Sequence, residues 1–539
     1  MEEHREARGP KFKRFVFPAD IRFGTTFSGN ADFSEAVFKG DAVFVAATFR
    51  RSANFRGTTF ASHADFHQAR FMGETSFSQC VFEGLADFRA TFSGEVRFIE
   101  TAFRGFAFFR KSTFDGEAVF RRATFNGKAD YWGTTFGYVA DFRDTTFEAE
   151  AKFFTTFQGE AKFSKATFAG VAAFREATFA DRTYFRAATF AGVADFREAT
   201  FADRTDFWEA TFAGTANFRV AIFENEVHFS DATFAGRALF LNTRFMADTS
   251  FSMAAFKVQA LFASRSESDR LFAGLHKDAV VNFTDITYDP ENPPRFKYTD
   301  FSKCRFLGTD LLHLDFTGVQ WCTSVPHVLW YRRYGLYEEV DNENAQGEKW
   351  TDATKDSIPS RFRTWASPRG NEQDHAEGDT SSVRPWAEIE RMYRELKHNY
   401  EKQQDYPRAG DFHVGEKEAR LRHETRWGMK TLLRVYRSVS IYGERATPAA
   451  LWLTLLIIVS AVGYLTLGVT PGENAEPLSA GVLADWGRAL LLSLESTFFP
   501  VQSAGFEVLG VRFLNVFQRI ASPILIALLA LALRQRVRR

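Results

Sequence analysis

Along the first half of the chain a single apolar residue type returns at two alternating intervals. Phenylalanine stands at Phe163, Phe168, Phe174, Phe179, Phe185, Phe190, Phe196, Phe201, Phe207, Phe212 and Phe218, and the beat continues to Phe262. The gaps alternate between five and six residues. An amphipathic helix spaces its apolar positions by three and four and a half-buried strand by two, so neither element accounts for the pattern. A unit of 11 residues cannot fold alone and has to bury its rings against copies of itself, as in a stacked solenoid. Two such units make a longer repeat: ATFAGVAAFREATFADRTYFRA, from Ala166, is followed by ATFAGVADFREATFADRTDFWE, from Ala188, a period of 22.

A small residue stands two positions before each ring, as Ala194 does before Phe196 and Ala199 before Phe201. A large and a small side chain then share one narrow interior, while the Asp, Arg, Glu, Lys and Gly of ADFRE and FADRTD form a solvated exterior. Over about Arg22 to Phe262 this resembles the pentapeptide-repeat family. The resemblance implies a mainly β fold, a right-handed quadrilateral β-helix whose four faces, alternately five and six residues long, close a coil of 22. About eleven coils at about 4.8 Å each predict a rod on the order of 50 Å long.

Spacings of four at Phe23–Phe27, Phe88–Phe92 and Phe153–Phe157 lie 65 residues apart and read either as local corners or as relics of duplication. Past Phe262 the rule lapses through ASRSESDRLFAGLHKDAVVNF, then resumes with Phe301, Phe306, Leu311, Phe316 and Trp321, five apart; a cap is expected to begin around Trp321 to Tyr337.

Beyond the repeats the pattern changes. Residues from Glu338 to Arg384 are polar and aperiodic and read as a mobile linker. Trp386, Ile389, Tyr393, Leu396 and Tyr400 follow helical spacing, and a second helix is expected over AGDFHVGEKEARLRHE, with Pro407 and Gly410 marking the break between them. Ala449–Val469 contains 21 uncharged residues, long enough to cross a bilayer. A second apolar run, Phe513–Leu533, is interrupted by Gln518 and Arg519, and between the two runs Trp486–Phe499 is too short to span and reads as re-entrant or interfacial. The expected organisation is an N-terminal segment, 1–20; a phenylalanine-rich β-helix, 21–262; terminal coils and cap, 263–337; a linker, 338–384; a helical segment, 385–447; and a two-span membrane domain, 448–539.

Charge sharpens this picture. Arg426, Lys430, Arg434, Arg437 and Arg445 precede the first span and Arg534, Arg536, Arg538 and Arg539 follow the second, whereas the intervening PGENAEPLSAGVLAD has no Lys or Arg. The positive-inside rule then places both ends, and the β-helix, in the cytoplasm. The start, MEEHREARGPKFKRF, has no apolar core of the signal-peptide kind, which agrees with that placement. The tail from about Arg391 to QRIASPILIALLALALRQRVRR resembles bacterial membrane-anchored pentapeptide-repeat proteins, which implies the inner membrane of a bacterium.

Residues 21–260 carry 27 basic and 28 acidic side chains, so no nucleic acid partner is expected. Members of the family that imitate DNA and bind topoisomerase need a strongly acidic face; that function is a remote alternative here. Cys80, Cys304 and Cys322 have no zinc-type spacing, and no GxSxG, Walker A, HExxH or GxGxxG motif occurs. No catalytic, metal or cofactor site is expected, and the chain is not read as an enzyme. Span, short helix, span is similar to the pore module of potassium-type channels, yet PVQSAGF stands where that family has its TVGYG-type filter. Glu495, Ser496, Thr497 and Gln502 are the candidate pore-lining residues; the alternative is an interfacial helix with Glu495 among headgroups. The sequence thus points to a scaffold anchored in the lipid bilayer with an unidentified protein partner, and alternatively to a homo-oligomeric, channel-like protein regulated by its β-helix.

Overall fold

The computed structural model describes residues 10–323, 333–342, 386–470, 476–498 and 509–537. It divides into two compact units, Met1–Cys322 and Thr323–Arg539.

The first unit is a parallel β-solenoid of about 14 turns with roughly 22 residues per turn. Each coil contributes a strand of about two residues to each of four faces, starting with Val16–Phe17, Ile21–Arg22, Thr26–Phe27 and Ala31–Asp32, which head sheets of 13, 14, 11 and 13 strands. We call these the first to fourth faces. Strand order within each face follows the chain, every strand pairing with those one coil before and after, as Ala194 pairs with Ala216. Side chains alternate along a strand, so the ring enters the core while its neighbour faces out.

All eleven of the rings from Phe163 to Phe218 named above are buried, as are the alanines Ala194 and Ala199. The rings form columns. Phe196 lies 4.9 Å from Phe174 and from Phe218, with planes within 5° and 1° of parallel, and meets Phe185 and Phe207 edge-on at 5.4 and 5.6 Å. The edge-on contacts are a favourable arrangement for aromatic pairs.

The alternating gaps correspond to two kinds of corner. Leaving the second and fourth faces, the five-residue corners turn through a left-handed residue two positions after the ring: Glu176, Ala187, Glu198, Glu209 and Val220 have φ of 58°, 54°, 60°, 57° and 61°. The shortened spacings all fall at the corner from second to third face, where the strands ending at Arg22, Asp87 and Lys152 give way to those starting at Thr26, Thr91 and Thr156. No left-handed residue follows Phe23, Phe88 or Phe153. What is deleted at these corners is the left-handed turn residue itself. At the six-residue corner from first to second face, glycines stack instead. A Cβ on Gly192, Gly214 or Gly236 would lie 2.3, 2.2 and 2.2 Å from the carbonyl oxygen of the glycine one coil earlier.

The lapse after Phe262 is an insertion, not an end. The column resumes at Phe283, stacked on Phe251 at 5.1 Å and 3°, and at Phe296, stacked on Phe262 at 4.9 Å, earlier than the expected Phe301. Residues 264–280 replace the third-face strand of one coil: that face ends at Arg244–Phe245, and Phe272 tilts by 44° against Phe245. The added length hides the period from the sequence. Trp321 then packs at 5.0 Å on Phe301 and 5.3 Å on Phe316, covering the last rings. At the other end Phe12 stacks on Phe33 at 5.0 Å.

The second unit is helical: α1 (Trp386–Lys402), α2 (Tyr406–His423), α3 (Trp427–Ser440), α4 (Ala446–Thr466), α5 (Leu483–Phe498) and α6 (Leu509–Val537), with a short helical stretch at 337–342. The break between α1 and α2 falls at 403–405, before both expected markers. Pro407 sits in the first turn of α2, where its missing N–H costs nothing, and the Asp405 carboxylate accepts the Arg408 N–H at 3.2 Å. Gly410 is buried within α2. The segment 333–342 is fastened to α1 by a buried knot in which Arg333 Nη2 donates to Glu339 Oε2 at 2.6 Å and Tyr393 Oη donates to the same oxygen at 2.5 Å. The polar stretch expected as a linker lies outside the described residues from 343 to 385.

Candidate functional site

Among the described residues two helices are long and apolar enough to cross a membrane, Ala446–Thr466 and Gly510–Arg534. Only 39% and 22% of their apolar windows are buried. Their large side chains face outward: Leu451, Leu455, Ile458 and Val459 on α4, and Phe513, Val516, Phe517 and Ile520 on α6, are exposed. Polar groups occupy the interior instead. Gln518 is fully buried; its Nε2 donates to the Ser493 carbonyl at 2.8 Å and to Thr497 Oγ1 at 2.8 Å, while its Oε1 accepts from Tyr464 Oη at 2.8 Å. Ser493 Oγ in turn donates to the Ile457 carbonyl at 2.9 Å, and Ser522 Oγ to that of Thr497 at 3.3 Å. One glutamine thereby ties α4, α5 and α6 together.

The structure brings one of the candidate pore residues, Thr497, into this knot, buries Ser496 beside it and separates a third. Ser496 and Thr497 are buried, Thr497 held by Gln518 and by the Ser493 carbonyl at 2.8 Å. Glu495 lies on the exposed side of α5, between the exposed Leu491 and Phe498. Gln502 lies outside the described residues. The member that sequence reasoning missed is Gln518, which in a linear reading only interrupts an apolar run. Its spacing of four from Ser522 and three from Asn515, both buried, is the signal of a polar seam along one side of α6.

The solenoid faces differ in chemistry. Outward positions on the first and third faces are mostly threonine, as in Thr167, Thr189 and Thr211 or Thr156, Thr178 and Thr200. Charge is concentrated on the second and fourth faces, as at Asp65, Asp87, Asp130 and Asp195 or Asp141 and Asp206. These aspartates are more than exterior decoration. Asp87, Asp141 and Asp195 each accept the backbone N–H two residues on, at 3.1, 3.1 and 3.2 Å, and the arginine at that position clasps the same carboxylate. Asp therefore opens the corner as an Asx turn, at the five-residue corners after Asp141 and Asp195 and also at the shortened one after Asp87. Among the described residues no three His, Cys, Asp or Glu side chains gather as a metal would require. The cysteines are buried thiols, and burial pushes that of Cys80 well above its usual pKa.

A family model described as pentapeptide repeats matches in nine copies, including residues 23–70, 44–91, 155–200 and 174–222. Searches of curated proteins and of solved structures each return no match. The matched residues lie wholly within the four-faced solenoid, and the N-terminal unit of this chain is accordingly a pentapeptide-repeat β-solenoid.

Proposed function

We propose that the chain is a non-enzymatic, membrane-anchored scaffold whose β-solenoid is displayed on the cytoplasmic side of a bacterial inner membrane for a protein partner. The observation that carries the reading is the inverted polarity of α4 to α6, apolar outside and hydrogen-bonded inside, an arrangement that water disfavours and lipid favours. The lysines and arginines flanking the apolar helices support the cytoplasmic placement, and the bacterial assignment rests on the resemblance of the tail. The charged second and fourth faces offer rows of Asp and Arg that a protein surface of complementary charge would read.

Flotation with phosphatidylcholine vesicles tests the anchor. The full chain is expected to rise with the vesicles and resist alkaline carbonate, and a chain ending at Arg445 to remain at the bottom. A full chain that stays at the bottom overturns the reading. A second reading, a homo-oligomeric channel, is favoured by Glu495, a carboxylate on an apolar outer surface that a shared aqueous axis would solvate. It requires unitary currents in planar bilayers that change with Glu495→Gln.

A further inference from the structure

Between α1, α2 and α3 lies a cleft of about 450 Å³ lined by Trp386, Leu421, Arg422, Lys430, Arg434 and Arg437. Four of its six lining side chains are cations and none is a carboxylate. Arg437 is paired with Glu418, whose Oε1 lies 3.2 Å from Arg437 Nε and also accepts the Tyr442 hydroxyl at 2.8 Å. Arg422 lies over the Trp386 ring at 5.6 Å. Lys430 and Arg434 have no carboxylate within ion-pair distance among the described residues. Lys430 and Arg434 thus bring two cations without a carboxylate partner among the described residues to a concave site, suited to a phosphate group held by an ammonium and a guanidinium fork.

Its placement decides which phosphate. α3 ends at Ser440 and α4, the first apolar helix, begins at Ala446; the Trp452 indole N–H of α4 donates to the Ser438 carbonyl at 3.0 Å. On α3 itself Trp427, Leu432 and Val435 are 82%, 60% and 53% exposed, an apolar edge beside the basic one. A helix with exposed apolar side chains, a cationic flank and a direct lead into a spanning helix belongs at the headgroup level of a bilayer. We propose that this cleft binds the phosphate headgroup of an anionic phospholipid, with Lys430 and Arg434 as its principal ligands. The inference rests on the membrane reading above.

The test uses the full-length protein in vesicles of phosphatidylcholine and phosphatidylglycerol, with one lipid or the other brominated so that it quenches nearby tryptophan. Each cation near an anionic surface contributes on the order of 1 kcal/mol, roughly a fivefold preference. The wild-type chain is expected to be quenched with at least about fivefold preference for brominated phosphatidylglycerol. Lys430→Gln with Arg434→Gln is expected to lower that preference by at least about fivefold, and Lys430→Arg with Arg434→Lys to retain it. Equal quenching by both lipids, or a preference untouched by the glutamine pair, overturns the proposal. Loss of the preference in inorganic phosphate but not in chloride of equal ionic strength overturns the lipid assignment in favour of a soluble phosphate. In every case flotation is measured alongside: protein that floats without lipid preference leaves the anchor standing, whereas protein that does not float overturns the membrane reading first.

Discussion

Replacing Phe196 by alanine removes a ring sandwiched at 4.9 Å between Phe174 and Phe218 and touched edge-on by Phe185 and Phe207. The site cannot collapse, because the hydrogen-bonded coils on either side fix the column spacing: the Phe174 N–H donates to the Asp195 carbonyl at 2.7 Å and the Phe196 N–H to that of Asn217 at 2.8 Å. The cost is therefore expected near the middle of the range for large-to-small changes, about 4 kcal/mol. Phe196→Leu keeps most of the volume and is expected to cost under about 1.5 kcal/mol. Native-state hydrogen exchange followed by mass spectrometry reads both. A loss of about 4 kcal/mol speeds amide exchange roughly a thousandfold, and in a stack with contacts only between adjacent coils the effect should centre on residues 174–218 and fade within a few coils. Equal effects of alanine and leucine, or a uniform rise across residues 16–317, would refute the account of a column packed ring on ring.

Val220 is a β-branched residue held at φ 61°, so Val220→Asn should raise the thermal midpoint of the solenoid, by about 1 kcal/mol of stability. Glu339→Ala leaves the Arg333 guanidinium buried without its partner and should destabilise the helical unit by about 3–5 kcal/mol, measured by thermal loss of helical circular dichroism. Burial alone would raise the pKa of Glu416, but the His413 ring nitrogen 3.7 Å from its carboxylate, the Lys417 ammonium that donates to it at 3.1 Å and the charge of Lys397 hold it well below the carboxylate range. Its folded pKa lies below its unfolded one, so the stabilisation is present above the unfolded value, near pH 4, and lost as the pH falls further. Acid titration of helical stability should steepen below about pH 4 in the wild type and flatten in Glu416→Gln.

The solenoid is legible in the sequence because its tertiary neighbours lie one coil apart along the chain, so that Ala194 against Ala216 is at once a contact and a period. The five and six of the Phe spacing are the two kinds of corner written out directly. What the spacing alone leaves open is which corner loses a residue: Phe23, Phe88 and Phe153 declare a deletion, and only their common position on the second face identifies the missing left-handed turn. The insertion of residues 264–280 breaks the period without breaking the stack, and no local signal at Phe283 marks it as the continuation of Phe251. In the helical unit the apolar runs stand out by length, and the buried α1 residues Ile389, Tyr393, Leu396 and Tyr400 by spacing. Helix α3 escapes such a reading because it buries only Leu433 and Ser440. Gln518 escapes it because its hydrogen-bond partners, Tyr464 and Ser493, lie on two other helices.

The strictly sequential strand order of the four faces has a mechanical consequence. A load applied along the rod axis at one terminus is carried by the ladder between the last coil and the one beside it, with no strand bridging further along to share it. Such a rod should yield by peeling, one coil at a time, instead of rupturing as a block. Each coil of 22 residues that lets go would turn about 4.8 Å of rod into roughly 75 Å of extended chain. In an optical trap the solenoid would therefore act as an extensible tether, paying out slack in nearly equal steps and rewinding as the tension falls.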